Sequence, residues 1–508
     1  MNHQQDTGVK EVNPKQPPAP PSSRVNPDDQ RYPSLVRGFN QRWVGQPHYI
    51  EVCNTEQEVV QAVQQALNEN RRITVRSGGH CYENFVCDNP EGVLIDLSQM
   101  KEVYFDQSTN CYCIEAGATL WDVYNYLFKE YGVTLPGGSC YSVGAGGHIT
   151  GGGYGLLSRK YGLTIDYLYA VEVVVVDASK KAQAITVSRD STNPTERDLL
   201  WGHLGGGGGN FGIVTKFYFR HLPPAPQEVY LMNLAWDWSQ FINHPNMFSQ
   251  LVNTYGQFLE VNSGVASPYA GLFTLLHLTT NGPNQQIVLT AQYAGDEPER
   301  LESFQKTIID SLLPLPPTPQ KTPVGYYHFL AQDTTIQKLP WLVATQTLNG
   351  SGVPRRGKYK SAYMLKTFPQ SQIDAMWQIL SNTSSNIANS QALLQIDSYG
   401  CQINAVESTA SAIPQRSSVM KLQYQIYWAD EADDRANLEW IRHFYTTMYG
   451  EKGPVPDGTL MDGCYINYPD VDLVNWQNLY YKENYPRLAA VKNQWDPLNI
   501  FHHQQSIT

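Results

Sequence analysis

Charge and long apolar runs are both scarce in this chain. Only 16% of its 508 residues are Asp, Glu, Lys or Arg, and their balance is -11. Without clustered Lys and Arg, that balance argues against a nucleic-acid partner. No stretch approaches the roughly 20 apolar residues of a membrane span. The first thirty residues hold Pro, Gln and Ser where an export signal would carry an apolar core. No membrane association and a cytoplasmic location are therefore expected. The eight cysteines form no Cys-x-x-Cys pair and no Cys/His zinc spacing. No metal site is expected, most thiols read as buried and free, and a Cys81–Cys87 bridge stays open. The sequons at Asn349 and Asn382 are expected to remain unmodified.

The familiar phosphate and nucleophile motifs are missing too. Gly357-Lys358 is followed by Tyr359, so it is not a P-loop. Gly144-Ala145-Gly146 runs on through Gly147 and His148 to Ile149, which breaks the dinucleotide fingerprint. No G-x-S-x-G elbow and no internal repeat occur.

What is abundant is glycine, in three places. "RSGGH" ends at His80; "LPGGSCYSVGAGGHITGGGYG", residues 135–155, holds nine glycines around Cys140; and "GHLGGGGGNFG" has five in a row. Glycine costs backbone entropy, so such runs are kept where the backbone must approach something closely. Successive N–H groups in them can converge on phosphate oxygens. Three such loops in one region point to a pyrophosphate-containing cofactor. His80 and Cys140 stand in two of them, where an imidazole nitrogen and a thiolate could bond an electrophilic ring.

The chain is too long for one core, and 41% apolar content is ample for several. Aromatic content is high, and ordinary packing is the simplest reading of it. Residues 1–31 read as a disordered arm. Over 32–225 the pattern alternates. Thr55 and Glu58 open a helix with Val59, Val63, Ala66 and Leu67 on one face, and "RRITV", "GVLIDLS" and "CYCIE" read as strands. Thr119 and Asp122 open another helix that stops at Gly132, and "YAVEVVVVDA" with "KAQAITV" reads as a hairpin. "LPPAPQE" is a linker to residues 226–455, an α+β region with strands such as "LLQIDSYG" and "MKLQYQIYW". Residues 456–508 are rich in Tyr and Asn and are expected to pack back on the first region.

Taken together and in order, "RSGGHCYENFV", "PGGSCYSVGAGGHITGGGYG", "DLLWGHLGGGGGNFGIV", "INYPDVDL" and "DPLNIF" resemble the berberine-bridge-enzyme-like FAD-linked oxidases. The resemblance implies an α+β fold: a two-lobed FAD-binding domain of the vanillyl-alcohol-oxidase/PCMH type, and a substrate domain with an antiparallel sheet covered by helices. It implies FAD bonded at 8α by His80 and at C6 by Cys140. It implies a cofactor site drawn from Arg76, Ser77, Gly78, Gly79 and Cys81; Val143, Gly144, Gly146, Gly147, His148, Gly152 and Gly153; Gly208, Asn210 and Ile213; and Asn467, Tyr468 and Asn499.

In the same resemblance Tyr468 is the general base. Lys421 is the candidate to lower its pKa, and Tyr399 a second aromatic orienting it. Gln423 stands where some plant relatives carry a catalytic glutamate, which disfavours ring closure. Val143 gates oxygen in the oxidase manner. His277 either lines the substrate side or is structural. The expected reaction is oxidation of a CH–OH group of a sugar, glycoside or polyketide-like metabolite, with molecular oxygen reduced to peroxide. The alternatives are desaturation or oxidative cyclisation, a dehydrogenase with another acceptor, and a carbohydrate-binding scaffold with a vestigial flavin site.

Overall fold

Three β-sheets fix the positions of everything that matters to the site. A computed structural model describes residues 23–282, 284–321, 334–382, 387 and 391–508. In the first sheet, β1 (Ser23–Val25), β2 (Tyr49–Val52), β3 (Ile73–Arg76) and β4 (Val93–Asp96) lie in the order β1-β2-β4-β3, with β2, β4 and β3 parallel. Residues 1–22 of the expected arm lie outside the described residues. Residues 23–25, expected to belong to it, form a strand instead, in which Val25 pairs with Ile50 and is buried with Val36 and Leu94.

Parallel strands need a crossover, and helix Glu56–Asn68 supplies it. The Thr55 hydroxyl accepts from Glu58 N–H at 3.3 Å, while the Glu58 carboxylate reaches one residue further back, to Asn54 N–H at 2.7 Å. Helix Leu120–Tyr131 has the reciprocal box between Thr119 and Asp122 and ends on Gly132 at φ 67°, the left-handed stop that glycine accepts without strain.

The second sheet is antiparallel: β5 (Val103–Asp106), β6 (Cys111–Glu115), β7 (Leu168–Val176), β8 (Ala182–Ser188) and β9 (Ile213–Phe219), ordered β5-β6-β9-β7-β8. Cys111 and Cys113 bury on one face with Ala170 and Tyr218. All eight cysteines are free, so Cys81 and Cys87 do not pair.

The third sheet holds β10 (Glu228–Asp237), β11 (Leu272–Thr279), β12 (Gln286–Tyr293), β13 (Gln337–Pro340), β14 (Arg356–Met364), β15 (Gln391–Ser398) and β16 (Met420–Trp428). Their order is β13-β10-β12-β11-β15-β16-β14, every pair antiparallel. Helix Asp434–Tyr449 packs on β14 and β16, helix Gln370–Leu380 packs on that helix and on helix Pro245–Val261, and the Tyr255 hydroxyl of the last donates to the Ile396 carbonyl of β15 at 2.8 Å. Alternation sends Leu275, His277, Gln395, Asp397, Gln423 and Gln425 to the same cavity wall. Among the described residues, no helix is long and apolar enough to cross a membrane, and no group of three His, Cys, Asp or Glu side chains could hold a metal.

Two buried groups of charges help to join the carboxyl-terminal segment to the rest. Lys492, on helix Tyr485–Trp495, donates to the Asn210 and Phe501 carbonyls at 2.7 and 2.6 Å and pairs with Asp496 at 2.7 Å. Deeper in, Lys358 pairs with Glu83 and with Asp470 (2.7 Å), and Lys360 with Asp470 (2.7 Å) and Asp472 (2.9 Å). Removing one member of such a buried cluster strands the opposite charges. Lys358→Ala should therefore cost about 3–5 kcal/mol in urea denaturation. Arg435→Ala, which breaks an exposed pair with Glu439, should leave the midpoint unchanged.

Candidate active site

The first two glycine loops touch back to back. A Cβ added at Gly78 would lie 2.3 Å from Gly144 N, and one at Gly144 would lie 2.1 Å from Ser77 Oγ. No side chain fits there. That contact, rather than a ligand, accounts for these two glycines, and it brings His80 and Cys140 to one cavity of about 750 Å³.

Arg76 fixes the base of the first loop. Its guanidinium pairs with buried Asp96 on the neighbouring strand (Nε to Oδ2, 2.9 Å) and donates to the Leu35 and Arg37 carbonyls. The His80 ring stacks on Phe39 at 4.5 Å between centroids, and its Nε2 lies 2.9 Å from Ser142 Oγ. Burial lowers its pKa to about 4, so the imidazole is neutral near pH 7, as a nitrogen nucleophile must be. Burial acts oppositely on Cys140 and raises its thiol to about 11. The thiolate expected from the sequence is thus a protonated thiol at rest. A segment of the other lobe holds this loop: Asn349 Oδ1 accepts from Tyr141 N–H at 3.1 Å, and Ser351 Oγ from Ser142 N–H at 3.2 Å.

Val143, Gly146, Gly147, Gly208, Ile213 and Cys81 also line the cavity. A Cβ at Gly147 would meet nothing within 4 Å. His148 and Asn210 line it as well, but their polar atoms serve the protein. His148 Nε2 accepts from Gly138 N–H at 3.1 Å, and Asn210 Oδ1 from Ile507 N–H at 3.1 Å. Gly152, Gly153 and Asn499 fall outside the cavity wall, contrary to expectation. Gly153, at φ 70°, has Thr164 where a Cβ would sit, and Asn499, at φ 51°, is a turn residue after the last helix. His203 was not singled out from sequence, yet it lines the cavity, buried, with neither ring nitrogen hydrogen-bonded.

The carboxyl-terminal segment supplies the opposite wall. Asn467 Nδ2 donates to the His148 carbonyl at 3.0 Å, which ties the segment to the second loop. Beside it, Lys421 Nζ donates to the Tyr468 phenol at 2.9 Å and pairs with Asp397 at 2.7 Å. Contrary to expectation, the Tyr468 pKa does not fall below its ordinary value: burial, reinforced by the Asp397 charge, raises it well above 10 in spite of the Lys421 donor. Asp397, not anticipated, is thus part of the same unit.

Tyr399 does not orient Tyr468 either. It lies beyond the end of β15, fully buried, packed on Tyr154 and Tyr363 and away from the cavity wall. Its place is taken by Tyr82, two residues after His80, whose ring stacks on Tyr468 at 5.6 Å and whose phenol accepts from Gln423 Nε2 at 3.0 Å.

A cavity of this size lies within the range of ligand and cofactor sites. Backbone at Gly147 and Gly208 open to it, the unpaired His203 ring, and a neutral imidazole and a thiol on one wall fit a flavin dinucleotide.

Comparison with known proteins agrees. The family model "FAD binding domain" matches residues 47–179, and "Berberine and berberine like" matches 464–508. The chain is 39% identical to aclacinomycin-N/aclacinomycin-A oxidase of Streptomyces galilaeus, over 95% of this chain and 89% of that one. It is 38% identical to hexose oxidase of Chondrus crispus, over 94% and 93%. The crystal structure of a glycopeptide hexose oxidase complexed with teicoplanin superposes with a TM-score of 0.88 at 37% identity, over 97% of this chain and all of that one. The chain belongs to the berberine-bridge-enzyme-like, FAD-linked oxidases of the vanillyl-alcohol-oxidase/PCMH fold. It is an FAD-dependent oxidoreductase.

The thiol pKa sets a test. In flavin-depleted protein, iodoacetamide alkylation of Cys140, followed by peptide mass spectrometry, should be slow at pH 7. It should rise about tenfold per pH unit toward pH 11, as the thiolate fraction grows. A rate that levels off below pH 9 contradicts the buried-thiol assignment.

Proposed function

We propose that the chain is an alcohol oxidase with a bicovalently held flavin, converting a CH–OH group of a carbohydrate, glycoside or related secondary metabolite to C=O. The observation that carries this reading is that His80, Cys140 and Tyr468 share one cavity while coming from three distant segments. The named activities of the relatives, on hexose, aclacinomycin and a glycopeptide, support the substrate class.

His80 and Cys140 would hold the ring by its 8α and C6 positions, with Gly147, Gly208 and His203 on the remaining wall. When bound, FAD supplies the two-electron acceptor for the carbinol hydride and the route of those electrons to oxygen, giving hydrogen peroxide. Val143 presents only a small aliphatic surface beside Gly144, in keeping with access for oxygen. The proton of the substrate hydroxyl goes to Tyr468 Oη. Lys421 donates a hydrogen bond to that oxygen and so stabilises it as phenolate, while Asp397 keeps the ammonium in place. Gln423 cannot take a proton. It holds Tyr82, which buttresses the Tyr468 ring.

A phenol raised well above 10 makes the active, deprotonated fraction grow with pH. The kcat/KM should therefore climb through neutrality. Lys421→Met should displace that limb to higher pH, since the phenolate then loses a donor and Asp397 is left uncompensated. A downward displacement removes Lys421 from this role. Tyr468→Phe should lower turnover by about 100-fold or more, read as peroxide released per oxygen consumed on a panel of hexoses. Yellow colour should stay with the acid-precipitated protein and be lost only when both His80 and Cys140 are replaced by Ala. Release of flavin from the wild type argues against attachment at either residue.

A further inference from the structure

Behind Tyr468 the hydrogen bonds continue in a line that the oxidation step does not require. Asp397 presents Oδ2 to Lys421 Nζ at 2.7 Å and Oδ1 to Gln395 Nε2 at 2.7 Å. A carboxylate paired with an ammonium only accepts, so Gln395 must turn its NH2 toward Asp397. Its Oε1 then faces His277 Nε2 at 3.0 Å and Gln425 Nε2 at 3.2 Å. The same oxygen selects the NH2 of Gln425, whose own Oε1 then accepts from the Tyr427 hydroxyl at 2.8 Å.

An amide oxygen cannot donate, and it leaves His277 no choice: Nε2 carries the proton. Burial depresses the imidazole pKa, in keeping with a neutral ring, and a neutral ring with Nε2–H has a bare lone pair on Nδ1. His277 lies on the cavity wall, with Leu275 and Thr279 on the same face of β11. The adjoining strands add Gln395, Gln423 and Gln425, and Asp397, whose charge is matched by Lys421, so this part of the wall is hydrogen-bonding and its carboxylate is paired.

We propose that His277 Nδ1 is the acceptor for a second, non-reacting hydroxyl of the substrate, its tautomer held by the relay His277–Gln395–Asp397–Lys421 that ends on Tyr468. This rests on the alcohol-oxidase reading and narrows it to neutral polyhydroxy substrates, sugars above all. A lone pair rejects an ether, a deoxy carbon or an anionic group at that position. It would make His277 a specificity-determining residue, in contact with substrate but not in the proton path.

The test uses flavin-loaded enzyme in two arms. In the first, peroxide release is measured on D-glucose and D-galactose and on their monodeoxy analogues. One analogue should lose about 10–100-fold in kcat/KM against its parent, the usual loss when a built-in hydrogen-bonding group goes unmet. His277→Leu should lose a similar factor on the parent sugar and nothing more on that analogue. Discrimination that persists unchanged in His277→Leu overturns the proposal. The second arm needs no substrate and no substitution at His277: ¹⁵N-histidine spectra of wild-type protein between pH 6 and 8 should show His277 neutral and protonated on Nε2. Gln395→Leu should give a tautomer mixture. A ring protonated on Nδ1, or charged, overturns the proposal. If no hexose is oxidised, the substrate class proposed above is at fault, and the tautomer alone decides the assignment of His277.

Discussion

The site exists because two stretches of backbone meet without side chains between them. Gly78 and Gly144 come so close that a methyl group on either would collide with main-chain or hydroxyl atoms of the other loop. Overlap of that size cannot be relieved by a rotamer change, since backbone does not swing aside. The loop after β3 and the loop before helix Ala145–Thr150 are therefore locked together, and each carries one nucleophile at its rim. The separate cofactor lobe and substrate lobe then matter less than this seam, which sets where a ring must lie if it is to touch both His80 and Cys140.

Desolvation works on three groups of the site at once, with opposite signs. It lowers His80, leaving a neutral nitrogen, and raises Cys140 and Tyr468, leaving a thiol and a phenol. All three are thus uncharged at rest, and a large cavity can be lined by reactive groups without the penalty of unpaired buried ions. The positive charge beside Tyr468, Lys421, is matched by Asp397, and that of Arg76 below His80 by Asp96. Charge develops only on Tyr468, where Lys421 already donates a hydrogen bond. A site arranged like this is quiet until Tyr468 gives up its own proton and can take that of the substrate.

Much of this was readable in the sequence, for identifiable reasons. Capping residues at Thr55 and Thr119 and the stop at Gly132 are local chemistry, and they placed two helices. Period-two patterning marked "MKLQYQIYW" and "LLQIDSYG" as strands, and the glycine loops pointed to a pyrophosphate-containing cofactor, which the family resemblance named as a flavin beside His80, Cys140 and Tyr468. What escaped depends on neighbours distant in the chain. Asp397 acquires its part only because register sets it opposite Lys421. Tyr82 gains its part by stacking on a residue nearly four hundred positions away. Tyr399 is the converse case. One step past its strand the alternation ends, and the ring turns into the core. Gly152, Gly153 and Asn499 were read as cofactor contacts because glycine-rich and Asn-containing motifs look alike whether they serve a ligand or a turn.

The buried Lys358–Lys360–Asp470 cluster explains how a segment near the end of the chain can be placed precisely enough to face nucleophiles near its start. Glu83 stands three residues after His80, and Asp470 two residues after Tyr468, and Lys358 holds both carboxylates. A displacement of either segment would separate charges that have no water to fall back on, so the cost rises steeply with distance. Apolar packing alone is less directional and tolerates sliding. An ion cluster with fixed hydrogen-bond geometry does not, and this is a physical reason to find several charges deep inside a chain that otherwise uses few. The scarcity of charge and its concentration beside the site belong to one design: walls whose few charges, Arg76 and Asp397, are each paired where substrate and cofactor bind, and an ion cluster where the two halves of the site must be held in register.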